Sequence, residues 1–276
     1  MVRAMSVVGL PKMPRARHAA PMTFVVYAVL TLLAAVPTIP VTMAAGGASL
    51  HTTRGGGAFL ELFETSAPAV GVGVLAGLVV AFLVWVLSPL LQMAWLDALS
   101  RPVTVADAIA FGTSQYLRAV GVTAILCFPL AVVCIATVVP PVLAHLALAD
   151  HPNARTHDFV LLMLAFPGFF LWLAWCAWHD LARAALLRTD RPIDAVRVAF
   201  GRLGARAFGV YLVWTTLAGA IALLAHIIGV EVGSGVGLVL LLQPLALARV
   251  ACRAAWLADA TDRTRKRPPP LPLALP

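Results

Sequence analysis

The chain has 276 residues, of which 61% are apolar and only 12% charged, with a formal net charge of +8 and a mean hydropathy of +0.93. A soluble domain carries about 25% charged residues, so this sequence lacks the polar surface to cover a water-soluble globule. Its charges also cluster between apolar runs that reach the roughly 20 residues needed to cross a hydrocarbon core. The positive balance therefore does not read as a soluble nucleic-acid binder, and an all-α polytopic membrane protein is expected.

Residues 1–21 mix basic residues with prolines and are expected to form a disordered basic tail. Residues 22–260 then hold six candidate crossing helices: Met22–Ala45, Val70–Trp95, Ala119–Val139, Phe159–Trp178, Phe208–Val230 and Gly235–Trp256. In lipid the backbone must satisfy its own hydrogen bonds, so helices follow. The basic start, the run Thr23–Val36 and the small residues Ala44 and Ala45 also fit a signal peptide. Pro37, Pro40 and the continuation through Val41 and Met43 without a cleavage motif favour an uncleaved first helix. Further prolines, Pro129, Pro167 and Pro244, interrupt later spans and predict kinks that neighbouring helices repair. Residues 261–276, TDRTRKRPPPLPLALP, form a second disordered basic tail, too proline-rich to pack a core and placed to lie against anionic headgroups.

Orientation follows from the cations. With the N-terminus inside, 18 of the 20 Lys and Arg residues fall on the inner side, and only Arg54 and Arg155 fall outside. The positive-inside rule then puts both termini in the cytoplasm. The abundance of arginine over lysine points to GC-rich bacterial coding, and hence to the inner membrane of a bacterium.

Three helix ends resemble one another: AWLD (94–97), AWHD (177–180) and AWLAD (255–259). The first two run on into RPVTVADAIAFG (101–112) and RPIDAVRVAFG (191–201). Proline suits a helix start, and Thr104 and Asp194 suit N-caps. From Ile193 the apolar residues 193, 196, 200, 203 and 207 share one helical face, which predicts an amphipathic interfacial helix on the inner leaflet, with Arg197, Arg202 and Arg206 toward the headgroups. The unit is thus a crossing helix, an interfacial Trp, an Asp, a surface helix and a second crossing helix. This internal repeat occurs twice in full and once truncated. Trp95, Trp178 and Trp256 are expected as lipid-interface belt residues. His179 is replaced by Leu96 and Leu257 in the other copies, so the His179–Asp180 pair is expected to mark a water interface without catalysing anything.

Few residues carry chemistry. Gln92, Gln243 and His226 are the polar groups within spans, and could line a polar path. The loop ADHPNARTHD (149–158), with His145, places His145, His151 and His157 six apart. These are candidate zinc ligands, although the spacing matches no established metal motif. Cys127, Cys134, Cys176 and Cys252 lie in apolar segments and read as small hydrophobes. Gly73 and Gly77 form a GxxxG, a close-packing signal. No Ser/His/Asp order, P-loop or HExxH occurs.

The two RP-[VI]-[TD] segments, alternating with crossing helices over residues 22–260, resemble a broad group of bacterial six-span membrane proteins. That group includes the membrane domain attached to some glycerophosphodiester phosphodiesterases. The resemblance implies a six-helix membrane domain that is not itself the catalyst. The soluble phosphodiesterase part has no counterpart in these 276 residues, so no active-site residue is carried over.

The expectation is a non-enzymatic inner-membrane protein, without a cofactor, acting as a scaffold or lipid-associated component of a complex. Its partners would be membrane lipids with anionic headgroups, other membrane proteins and no nucleic acid. The second reading is a small transporter or channel with its path between the repeats.

Overall fold

A computed structural model of the chain describes residues 18–33, 67–147, 154–232 and 236–265. Those residues form eight helices and no strand: α1 (His18–Leu33), α2 (Ala67–Ser100), α3 (Val105–Ser114), α4 (Tyr116–Ala147), α5 (Ala154–Ala185), α6 (Pro192–Arg202), α7 (Ala205–Val232) and α8 (Val236–Arg265). Four stretches are long and apolar enough to cross a membrane, Val74–Ser100, Tyr116–Ala147, Phe159–Ala185 and Ala205–Ile228. They coincide with the second to fifth expected spans. The expected count of six is not reached among the described residues. α1 is described for Met22–Leu33 of the first expected span, and the rest of that span to Ala45 lies outside the described residues. α8 is 30 residues long, but it carries Arg249 and Arg253 and closes on three aspartates or arginines per turn and a half. The two proposed tails lie largely outside the described residues.

The buried core sits at one end of the bundle. It draws on Ala19, Met22 and Val26 near the start of α1, Met93–Leu99 at the end of α2, and Ala119, Val122 and Leu126 at the start of α4. The end of α5 (Leu173–Leu186), the start of α7 (Val210, Tyr211) and the end of α8 (Trp256–Ala260) complete it. The long helices therefore alternate in direction, with the starts of α1, α4 and α7 meeting the ends of α2, α5 and α8. Away from this layer the helices turn large apolar side chains outward, among them Phe82, Trp85, Phe128, Ile135, Phe159 and Leu223. Such a surface suits hydrocarbon, where outward apolar groups carry no penalty. Cys127 and Cys134 lie on it as well, and all four cysteines are free thiols.

The two short helices, of 10 and 11 residues, are too short to cross. Thr104 caps α3 as expected, its hydroxyl oxygen accepting from the Asp107 N–H at 3.2 Å. Asp194 does not cap α6. Pro192 opens that helix, Arg191 holds the cap position without a side-chain bond, and Asp194 falls in the first turn, where its charge favours the helix dipole. The inward face of α6 also differs from expectation. Ala195, Val196 and Ala199 are buried, whereas Ile193 and Phe200 point outward. Trp178 donates to the Val196 carbonyl at 3.2 Å and packs its ring 5.4 Å from that of the outward-facing Phe200.

Close helix contact depends on particular glycines. A Cβ on Gly112 would stand 2.5 Å from the Leu90 carbonyl oxygen, and one on Gly168 would stand 2.6 Å from Thr137. The matching glycine of the second RP segment, Gly201, faces open space, so one motif letter does two different jobs. Gly112→Val and Gly168→Val should each destabilise the detergent-solubilised protein by about 1–3 kcal/mol, the usual cost of overpacking. Gly201→Ala should leave its thermal unfolding midpoint unchanged or slightly raised. Equal midpoints for all three variants would contradict these packing assignments.

Candidate functional site

The centre of the polar chemistry is Asp180, on the last turns of α5. It is 1% exposed. Its carboxylate accepts from Gln92 Nε2 of α2 at 3.0 Å, and from Trp256 Nε1 of α8 at 2.8 Å. Arg253 Nη2 of α8 forms an ion pair with Oδ1 at 2.5 Å. A charged acceptor roughly doubles the strength of each such bond, and here three donors from two helices converge on one group. Asp180 was expected at the headgroups. It is instead enclosed by protein, because its donors come from neighbouring helices and replace the water it would otherwise need.

A second guanidinium adjoins the first. Arg183, one turn further along α5, is 3% exposed. Its Nη1 donates to Gln92 Oε1, and its Nη2 donates to Thr123 Oγ1 of α4 at 2.9 Å. Its Nε is buried without a partner. Thr123 in turn faces His179 Nε2 at 3.2 Å, and the His179 ring stacks on Trp175 at 5.3 Å. Gln92 therefore bridges the carboxylate and the second cation through its two amide ends. The layer ties α2, α4, α5 and α8 together by polar contacts that no single helix could satisfy.

The other two Trp-Asp ends solve the same problem locally. Arg101 clamps Asp97 through two bonds, 2.8 and 3.0 Å, and lies 5.9 Å over the Phe111 ring. The hydrogen bond to Asp97, with its negative charge, holds the Arg101 guanidinium above its ordinary pKa. Arg263 pairs with Asp259 in the same i, i+4 relation. The position four after Asp180 is Ala184, and Arg183, three after it, turns to Gln92 and Thr123, so the ion pair of Asp180 is made with Arg253 of α8.

The three tryptophans divide. Trp95 and Trp256 are buried, and Trp95 Nε1 donates to Thr23 Oγ1 of α1 at 2.9 Å. This corrects the belt assignment for those two, since each indole N–H is used to lock a helix pair. Trp178 is half-buried against α6. Arg197 and Arg206 are exposed and Arg202 is half-buried. The three residues of the expected polar path are not brought together. Gln92 belongs to the Asp180 layer, Gln243 accepts a hydrogen bond from Tyr27 of α1, and His226 is exposed further along α7. His145 is exposed near the end of α4, while His151 lies outside the described residues, as does the side chain of His157. Among the described residues no three His, Cys, Asp or Glu side chains gather as metal ligands.

Among the described residues, cavities flank the Asp180 layer, one of them a pocket of about 170 Å³ lined by Tyr211, Trp214, Thr215, Cys252, Arg253 and Trp256. A larger one, of about 560 Å³, is lined by Tyr27, Thr31, Trp95, Gln243, Arg249 and Arg253, together with Leu30, Ala218, Leu242, Ala246 and Val250. Another, of about 180 Å³, lies between α1, α2 and α8 and shares Leu30, Trp95 and Arg253 with the larger one. In comparison with known proteins, no family model, no curated protein and no solved structure matches this chain.

With its three donors in place, Asp180 ties the end of α5 to α2 and α8. Removing one partner of a buried pair leaves an uncompensated charge and costs about 3–5 kcal/mol. Asp180→Leu should lower stability in reversible unfolding from detergent micelles by less than that full amount, because the orphaned Arg253 side chain is 41% exposed. Combining it with Arg253→Leu should recover part of the loss, because the orphaned guanidinium is gone. Strict additivity of the two single losses would show that the pair is not coupled.

Proposed function

We propose that this chain is a bacterial inner-membrane protein of six crossings with both termini in the cytoplasm, which acts as a lipid-associated scaffold within a membrane complex rather than as an enzyme. The alternating direction of the long helices supports an even number of crossings. The sorting of Lys and Arg to the end that holds the buried core supports a cytoplasmic setting for that end. The sequence resemblance to the six-span group, and the twofold occurrence of a long helix followed by a short RP helix, support a duplicated architecture.

One observation carries the lipid-associated reading. α6 packs its alanine face on the bundle while Ile193, Val198 and Phe200 stay exposed beside the exposed Arg197. A short helix with apolar and basic side chains on its free surface suits the boundary between acyl chains and anionic headgroups. Each cation near such a surface contributes about 1 kcal/mol.

The small-transporter reading is favoured by one feature, the pair of adjoining cavities that reach Gln92 on one side and Gln243 on the other. His226 lines neither of these two cavities.

Reporter fusions test the topology. A fusion after residue 190 should report a cytoplasmic location and one after residue 153 a periplasmic one; both in one compartment would overturn the six-crossing reading. For the lipid role, the Arg197→Gln, Arg202→Gln, Arg206→Gln triple variant should lose enrichment of phosphatidylglycerol over phosphatidylcholine in its surrounding lipid shell in nanodiscs. Unchanged enrichment would remove α6 as the lipid-contacting element. Solute flux through proteoliposomes would select the transporter reading instead.

A further inference from the structure

The larger cavity beside the Asp180 layer is apolar along most of its wall and cationic at one level. Arg249 and Arg253 stand four residues apart on α8, so both project from the same helical face. Arg253 pairs with Asp180 through Nη2, yet 41% of its side chain is exposed, which leaves guanidinium N–H groups open to the cavity. Arg249 is exposed toward the same space and pairs with no carboxylate among the described residues. Charge is also out of balance in the adjoining layer. Among the described residues, Asp180 is ion-paired to Arg253 alone, while the buried Arg183 beside it is bonded only to the neutral Gln92 and Thr123. Arg249 adds a further positive charge within one turn.

A guanidinium on the apolar wall of a helix bundle is costly unless it meets a partner or water, which makes Arg249 and Arg253 candidates for a ligand contact. The hydrogen-bonding fork of arginine matches a phosphate better than any other common anion. The rest of the wall rejects a small hydrophilic anion as the sole occupant: Leu30, Ala218, Leu242, Ala246 and Val250 need an apolar neighbour. A volume near 560 Å³ falls within the roughly 300–1,000 Å³ of ligand sites. That is room enough for a lipid headgroup and the upper part of an acyl chain. Tyr27 and Thr31 add hydroxyl groups at the wall formed by α1.

We propose that the cavity bounded by α1, α2, α7 and α8 is a specific binding site for one phosphate-headed lipid, with its phosphate on Arg249 and Arg253 and an acyl chain along Leu30, Leu242 and Val250. This rests on the lipid-associated reading and names its ligand class. The site is distinct from the outer surface of α6, which would gather lipids without selecting a single molecule.

The test is native mass spectrometry of the full detergent-purified chain titrated with phosphatidylglycerol, phosphatidylcholine and inorganic phosphate. One phosphatidylglycerol per chain should be retained, while phosphatidylcholine, whose choline offsets the phosphate charge, should bind at least tenfold more weakly. Inorganic phosphate should not displace the lipid at equal concentration. Arg249→Ala should weaken phosphatidylglycerol binding about tenfold, with partial rescue by Arg249→Lys. Leu242→Trp, which fills the cavity and leaves both guanidinia, should produce a similar loss. Equal retention of the two lipids, or full retention by both Arg249→Ala and Leu242→Trp, overturns the proposal. Binding of inorganic phosphate without lipid retention overturns it in favour of a free-anion site. The Arg197, Arg202 and Arg206 triple variant changes no residue lining this cavity, so it should keep the single bound lipid. The two readings can therefore fail separately.

Discussion

A carboxylate enclosed by protein at the depth of crossing helices must find its hydrogen-bond donors on other helices, and that requirement at Asp180 organises the bundle. Gln92, Trp256 and Arg253 reach it from α2 and α8. Gln92 then passes the constraint to Arg183, which passes it to Thr123 on α4. Once these bonds are made, the ends of α2, α5 and α8 and the start of α4 have one relative register. Interhelical polar bonds within membranes contribute modestly one at a time, averaging about 0.6 kcal/mol in measured cycles. Their value here lies in geometry: a slip of one residue on any of the four helices would leave a buried charge unmatched, and that costs several kcal/mol.

The layer also explains where the core is. Tight packing is concentrated at the end that holds Asp97, Asp180 and Asp259, and the opposite halves of the long helices expose Leu, Phe and Ile side chains. Lipid tails are as apolar as leucine, so no hydrophobic drive closes those halves against one another. What closes the other end is polar satisfaction, aided by close approach at Gly112 and by the Arg265 side chain, which donates to the Ser100 carbonyl at 2.6 Å and so caps α2. Free space is left between α1, α7 and α8, where α1 touches the bundle through Trp95 with Thr23 and through Tyr27 with Gln243. The cavity thus follows from the same pinning that orders the rest.

The helical class and the second to fifth crossing segments were legible from apolar runs alone, because hydropathy reports transfer to lipid directly. The first and last were not legible in the same way: the first extends beyond the described residues, and the last mixes crossing length with arginines. Thr104 was readable as a cap, since its preceding proline and following helix leave few alternatives. Asp194 was not, because Pro192 moved the helix start ahead of it. The buried layer escaped the sequence reading for a specific reason. Trp-x-Asp at an inner helix end has the same letters whether it faces headgroups or protein. The spacing did contain a signal. Asp97 and Asp259 have arginines four residues on, whereas Asp180 has Ala184 there. Arg253 has no acid within a turn on its own helix. An acid without an i, i+4 cation and a cation without an acid on its own helix within a turn are candidates for each other.

The alignment of Trp-Asp ends gave a matching alphabet with three different structural outcomes. Two ends close on themselves by i, i+4 pairs, and the middle one reaches across to a neighbouring helix. If the segments arose by duplication, the loss of the local arginine at position 184 freed one carboxylate to become the shared tie of the bundle.

The central claim is that Asp180 holds the helix ends in one arrangement, and pulsed electron resonance between spin labels at positions 188, in the turn just after α5, and 262, near the end of α8, tests it most directly. The account predicts a single narrow distance distribution in the unaltered chain and a broad or split one when Asp180 is replaced by leucine. Identical narrow distributions in both proteins would contradict it.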